Sequence, residues 1–207
     1  MGCSSDCSEG DYPLHEVTLS AFEIDVTEVT QSAYQACMDS GICTPPACNF
    51  DPTTTPMHPV VCVSWVQAKA YCSFAGLRLP SEAEWEKAAR SADQRKFPWG
   101  DTAPSCTLVN FSDCATGAEP VAGHPDGASP YGALDMSGNV WEWVNDYYAF
   151  DYYTTGPASD PPGPASGASR SFRGGAFGSP TEDISAWERE DWPESSQEEV
   201  LGFRCAM

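Results

Sequence analysis

The stretch RGGAFGSPTEDISAWEREDWPESSQ, from Arg173 to Gln197, gathers the residues of this chain that suggest a working surface. It holds Ser179, three aromatic residues (Phe177, Trp187 and Trp192) and a run of acids, but neither cysteine nor histidine. Between Ala176 and Val200 the acids Glu182, Asp183, Glu188, Glu190, Asp191, Glu194, Glu198 and Glu199 stand against the single base Arg189. A carboxylate pair serves glycoside hydrolysis only at a fixed separation, and nothing in this run fixes one. A serine nucleophile needs a base, yet no histidine follows Ser179 and the nearest before it is His124. The composition instead suits binding. Phe177, Trp187 and Trp192 offer rigid apolar area, and Ser179, Glu182, Asp183 and Glu188 offer a polar, negative rim.

A second set of reactive side chains is the ten cysteines, at positions 3, 7, 37, 43, 48, 62, 72, 106, 114 and 205. An even number, spread along the chain, reads as a disulfide framework made in an oxidising compartment. Zinc is the rival reading, but no C-x-x-C pair occurs and His15, His58 and His124 are isolated. The expected location is therefore extracytoplasmic: secreted, periplasmic or on the cell surface. The polar opening MGCSSDCSEGDYP shows no signal peptide, and no run of apolar residues is long enough for a membrane span. Thirty acids against ten bases give a formal charge of −20. Such a balance argues against nucleic acid and anionic membranes and fits a protein that meets cations.

Few regular elements are available to position these groups. LHEVTLSAFEIDVTEVT alternates like two short strands turning at Ser20-Ala21. QSAYQACMDSG predicts a short helix stopped by Gly41. In VSWVQAKAYCSFAG, Ser64 and Gln67 form a capping box and Gly76 ends the helix; in PSEAEWEKAAR, Ser81 and Glu84 form another. From Ser91 onward the chain reads as turns and loops, with short strands at Ser171–Arg173 and Leu201–Cys205. The reading is one irregular α+β domain over 1–207, low in regular structure and stapled by disulfides.

RLPSEAEWEKAAR, taken with FEIDVTEVT, VSWVQAKAYC, FPWGD, YGALDMSGNVWEW, RGG and GFRCA, resembles the sulfatase-modifying-factor family, which includes the formylglycine-generating enzymes. The motifs stand in the family's order and run from Met1-Gly2 almost to Met207. The resemblance implies a variant of the C-type lectin fold. It also implies copper(I)-dependent oxidation of a cysteine in a C-x-P-x-R peptide to formylglycine, using two cysteines shortly after RGG. The matching positions here are Ser179 and Ile184. Copper(I) wants soft thiolates, which a serine and an isoleucine do not supply, so no copper is expected. A further disulfide of catalytic relatives would match Ala88-Ala89 and the segment Trp187–Arg189, where neither partner is a cysteine.

The resemblance also pairs Cys72 with Cys205. The remaining cysteines then pair most simply by neighbourhood, Cys3 with Cys7, Cys37 with Cys43, Cys48 with Cys62 and Cys106 with Cys114, although sequence cannot fix those pairings. DMSGNVWEW matches a calcium-binding turn of the family, giving carboxylates of Asp135 and Glu142 and carbonyls of Gly138 and Val140 as ligands to a structural calcium ion. A second family calcium site would begin at Asn110 and Phe111, without a clear partner acid. Arg173 and Arg204 are expected to pair with buried acids or carbonyls, and Gly174-Gly175 to mark close backbone packing. The combined expectation is a non-catalytic module, ligand-binding or structural. Its partner is expected to be a protein, peptide or glycan, cationic or bridged by calcium. The competing expectation is an enzyme of the same family with relocated catalytic residues.

Overall fold

Each of the three longer helices begins at a hydroxyl cap. A computed structural model describes residues 1–3 and 13–207. Helix α1, Gln31–Asp39, starts where the Thr30 hydroxyl accepts the Ala33 N–H at 3.2 Å. Helix α2, Trp65–Phe74, starts from a reciprocal box in which Ser64 Oγ accepts the Gln67 N–H and Gln67 Oε1 accepts the Ser64 N–H. Helix α3, Glu82–Arg90, repeats the box with Ser81 and Glu84. Just past α1 and α2, Gly41 and Gly76 take φ of 80° and 76° and turn the chain out of the helix. A single turn, α4, spans Tyr152–Thr155.

Among the described residues one four-stranded sheet forms, from β1 Trp141–Tyr147, β2 Arg170–Arg173, β3 Arg189–Trp192 and β4 Leu201–Phe203, in the order β3-β2-β1-β4. Strand β1 runs antiparallel to β2, with Trp143 opposite Phe172, and parallel to β4, with Trp141 opposite Leu201. Strands β2 and β3 are antiparallel, with Arg173 opposite Arg189. The sheet carries helices on both faces. Trp141 and Trp143 join Phe172 and Phe203 against Tyr34 of α1 and Trp65 of α2. Val144, from the other face of β1, packs with Trp85, Ala88 and Ala89 of α3.

Two expectations need correction. The alternation over Leu14–Thr30 does not make strands. This segment makes only isolated bridges, Thr18 to Ser159, Ile24 to Ala206 and Thr30 to Pro59, with scattered backbone hydrogen bonds such as Asp25 N–H to Cys205 O and Val29 N–H to Phe203 O, so no continuous ladder forms. Strands β1 and β3 were not expected. Both faces of β1 are covered, so WEWVNDY lacks an apolar–polar alternation, while β3 reads as a charged loop, REDW.

Four disulfides lie among the described residues: Cys37–Cys43, Cys48–Cys62, Cys72–Cys205 and Cys106–Cys114. Cys72–Cys205 ties α2 to the segment after β4 across 133 positions of sequence. Cys3 is also disulfide-bonded, and the expected partner Cys7 lies outside the described residues.

Candidate functional site

The segment after β2 is built inward. Gly174 and Gly175 have φ of 100° and 77°, and a Cβ on Gly175 would come within 2.5 Å of Ile184 Cγ2. Ile184 is fully buried beside Phe97, Val109 and Phe111, so it is a core residue. Ser179 closes a turn: its Oγ accepts the Ala176 N–H at 3.0 Å and its own N–H donates to Ala176 O at 2.9 Å. The two positions matched to the copper-binding thiols therefore present one engaged hydroxyl and one enclosed alkyl group. This donor set does not fit copper(I). No free cysteine stands among the described residues.

The expected contact surface divides. Glu182 is exposed, and Phe177, Asp183 and Trp192 are half-buried, Trp192 with its ring 4.7 Å from that of Phe172. Ser179, Trp187 and Glu188, by contrast, are buried and leave the list of contact residues. For Trp187 the reason is helix α3. Ala186 packs against Trp85, Ala88 and Ala89, and the Arg90 guanidinium lies over the Trp187 ring at 5.1 Å with Lys96 Nζ at 5.8 Å. The carboxyls that stay outside crowd one another. Burial and the charge of Glu182 raise the pKa of Asp183, and burial with Asp183 and Asp191 raises that of Glu190.

Beneath this surface lies a charged interior. Glu82 accepts from Arg189 Nε at 2.7 Å, Arg189 Nη2 at 2.9 Å, Arg173 Nη1 at 3.1 Å and the Tyr153 hydroxyl at 3.2 Å. Glu86 accepts from Arg173 Nη2 at 2.7 Å and Arg90 Nη1 at 3.2 Å. Burial opposes ionisation of Glu82, but the two guanidinium groups outweigh it and hold its pKa below the ordinary value. Arg173 is thus structural, as expected. Asp146 on β1 accepts the Glu82 N–H at 2.8 Å, and burial with the Glu82 charge pushes its pKa up to about 8. Glu82 and Glu86 went unnoticed as partners, although their four-residue spacing places both on one face of α3.

The turn expected to hold calcium curls tightly. Asp135, Gly138 and Asn139 have φ of 57°, 70° and 56°, and a Cβ on Gly138 would lie 2.2 Å from Asn110 O. Asp135 Oδ2 accepts the Ala122 N–H at 2.7 Å. Val140 is buried at the start of β1. Glu142 is engaged with protein donors. Its Oε1 accepts from Arg204 Nη2 and its Oε2 from Arg204 Nε and Trp85 Nε1, all at 2.7 Å. Arg204 also donates to the carbonyls of Asp25, Val26 and Leu134, which confirms its structural role. As transferred, the ligand set does not fit well: a guanidinium occupies the Glu142 carboxylate.

Sequence reading missed a third acid here. Glu28 is 1% exposed; its Oε1 accepts from Asn139 Nδ2 at 2.9 Å and its Oε2 has no hydrogen-bond partner. Burial, then Asp135 and Glu142, raise its pKa well above the ordinary value. At the second expected site, Asn110 and Phe111 are both buried, and Asn110 Nδ2 donates to Gly117 O at 3.0 Å and Asn139 Oδ1 at 3.3 Å, while its Oδ1 is without a partner. Among the described residues no three His, Cys, Asp or Glu side chains converge to hold a metal by side chains alone.

The whole chain, residues 1–207, matches the model of the sulfatase-modifying factor enzyme 1-like domain, and the protein belongs to that family. It is 33% identical to the serine/threonine-protein kinase pkn1 of Chlamydia caviae over 98% of this chain and 35% of that protein. It is 38% identical to the formylglycine-generating enzyme of Streptomyces coelicolor over 78% of this chain and 56% of that enzyme. The chain thus spans between about a third and about half of the length of these curated relatives. Among solved structures, Treponema denticola variable protein 1 superposes with a TM-score of 0.82 at 29% identity, covering 99% of this chain and 90% of that one. The fold is that of the formylglycine-generating enzymes, a variant of the C-type lectin fold.

Proposed function

We propose that this chain is a non-catalytic member of its family, an extracytoplasmic module that binds a protein, peptide or glycan or serves a structural role. The observation that carries the reading is the pair Ser179 and Ile184. Neither supplies a soft ligand, and Ile184 is enclosed in an apolar cluster. The disulfides and the −20 charge favour an oxidising compartment and a cationic or calcium-bridged partner. Glu182, with the half-buried Phe177, Asp183 and Trp192, is the contact surface retained from the C-terminal stretch. A structural calcium ion at the 135–142 turn belongs to the same reading.

The test incubates copper-loaded protein in air with a C-x-P-x-R peptide and reads the peptide by mass spectrometry, beside an active family enzyme. An unmodified peptide next to a working control is the expected result. Formation of the aldehyde overturns the reading. The second reading, an enzyme with relocated catalytic residues, is favoured by the 38% identity to a formylglycine-generating enzyme. A thiol titration separates the two: two reactive thiols in the native protein would support the enzyme, and none supports the binding module.

A further inference from the structure

We propose that the open edge of β3 is a docking site for an extended, basic peptide segment, which joins the sheet there as a further strand. The inference rests on the reading of this chain as a module that binds a cationic partner. It adds where that partner sits and which main-chain groups hold it.

The two edges of the sheet differ. At the β4 edge the Val29 N–H donates to Phe203 O and the Asp25 N–H to Cys205 O, both at 2.9 Å. A Cβ on Gly202 would lie 2.7 Å from Val60 O, and Leu201, Gly202 and Phe203 are all buried. The chain itself closes that edge. Strand β3 lies at the other end of the order β3-β2-β1-β4 and pairs with β2 from Arg170 opposite Trp192 to Arg173 opposite Arg189. In an antiparallel ladder every second residue turns its N–H and C=O away from its partner. Beyond the ladder with β2, no backbone group among the described residues bonds to the main chain of Glu190, Asp191 or Trp192. Glu190 is exposed and the other two are half-buried, so the edge is open to solvent. An edge of this kind is a template on which another strand can pair.

Charge selects the occupant. Successive side chains of a strand point to opposite faces, so Glu190 and Asp191 put one carboxylate on each face of the edge. The base of the strand, Arg189, is spent on Glu82 in the interior. The charge of Asp183 acts on Glu190, which joins the edge to the rim of Glu182 and Asp183. Like charges opposite one another destabilise a strand pair, so a second copy of this chain, with its charge of −20, is disfavoured. A strand with lysine or arginine opposite Glu190 and Asp191 sets opposite charges within cross-strand reach. Trp192 packs on Phe172 yet stays half-buried, which leaves ring surface for an apolar or cationic side chain of the partner.

The test uses the whole chain and a capped peptide of adjacent lysines flanked by valines, titrated at low salt by calorimetry. A fully N-methylated form of the peptide keeps the side chains and charge but has no main-chain N–H to donate. Amide hydrogen exchange of Glu190–Trp192 reports pairing at the edge directly. A variant carrying Glu190→Gln and Asp191→Asn, checked for folding by circular dichroism, removes the charge and keeps the edge. The expected result is binding of the unmethylated peptide with slowed exchange at Glu190–Trp192. N-methylation should weaken it ten-fold or more, and the double variant about three-fold or more with a smaller salt dependence. Equal binding of the two peptides, or unchanged exchange at these amides, overturns the strand edge and leaves the reading of a cationic partner standing. Equal affinity of the double variant overturns the choice of a basic occupant. No binding of either peptide overturns both the edge and that reading.

Discussion

Helices α2 and α3 start alike, each from a serine cap with a complete capping box, and each packs on one face of the same sheet. They are fastened by different chemistry. Helix α2 is held by the Cys72–Cys205 bond and by a core of Tyr34, Trp65, Trp143 and Phe203. Helix α3 presents Glu82 and Glu86 to Arg173 of β2, and Glu82 also to Arg189 of β3, and all four residues are buried. The resemblance places a disulfide of catalytic relatives between α3 and the segment Trp187–Arg189. Here Arg189 reaches back to Glu82, and Arg90 covers the Trp187 ring. One side of the sheet is closed covalently and the other by charge. The two sides should therefore fail under different conditions.

The largest expected effect is on the covalent side. A bond that closes a loop across 133 positions removes enough unfolded-chain entropy to contribute about 5 kcal/mol. Replacing Cys72 and Cys205 together by alanine should lower the free energy of urea unfolding by roughly that amount. A loss below about 1 kcal/mol would mean that packing around α2 suffices without the bond.

On the ionic side, Arg173→Met strips Glu82 and Glu86 of a shared partner while keeping much of the side-chain volume. Removing one member of a buried pair leaves an uncompensated charge, and a loss of about 3–5 kcal/mol is expected in the same unfolding experiment. Reductant should not change this difference. A near-neutral outcome would show that Arg189 and Arg90 hold the two acids unaided, which would weaken the contrast between the two sides.

The same division explains what was legible in the sequence. The caps at Ser64 and Ser81, the stops at Gly41 and Gly76 and the neighbour pairs Cys37–Cys43, Cys48–Cys62 and Cys106–Cys114 are local signals, and each appears as expected. The charged side depends on contacts between distant segments. Arg189 and Glu82 are 107 positions apart, and nothing near either residue announces the other. Trp187 and Glu188 looked like surface groups because tryptophan beside acids is common at binding sites; both are buried instead, and Arg90 lies over the Trp187 ring. Glu28 was passed over for a similar reason, since its partner Asn139 lies 111 positions away. Alternation in the Leu14–Thr30 segment is real, but pairing into a ladder needs a neighbouring strand that the fold does not supply.

The smallest and most diagnostic effect is a pH dependence confined to the ionic side. Asp146 is buried under the N-terminus of α3, where it accepts the Glu82 N–H. Burial and the charges of Glu82 and Glu84, offset in part by Arg189, raise its pKa from 3.8 to about 8. The folded protein therefore holds a proton that the unfolded chain releases. The resulting stabilisation is complete below the unfolded pKa of 3.8 and is lost as pH rises through about 8. Glu28 acts in the same direction, and Glu82, whose pKa is lowered, acts in the opposite one, losing its contribution as pH falls. Between about pH 5 and 8 the slope from Asp146 is about 1 kcal/mol per pH unit. Asp146→Asn keeps an acceptor for the Glu82 N–H but cannot titrate. Denaturation curves across this range should fall with pH for the unaltered protein and flatten for the variant, leaving the share due to Glu28. If both proteins show the same slope, Asp146 is ionised in the fold and the ionic side carries a negative charge beyond those its arginines balance.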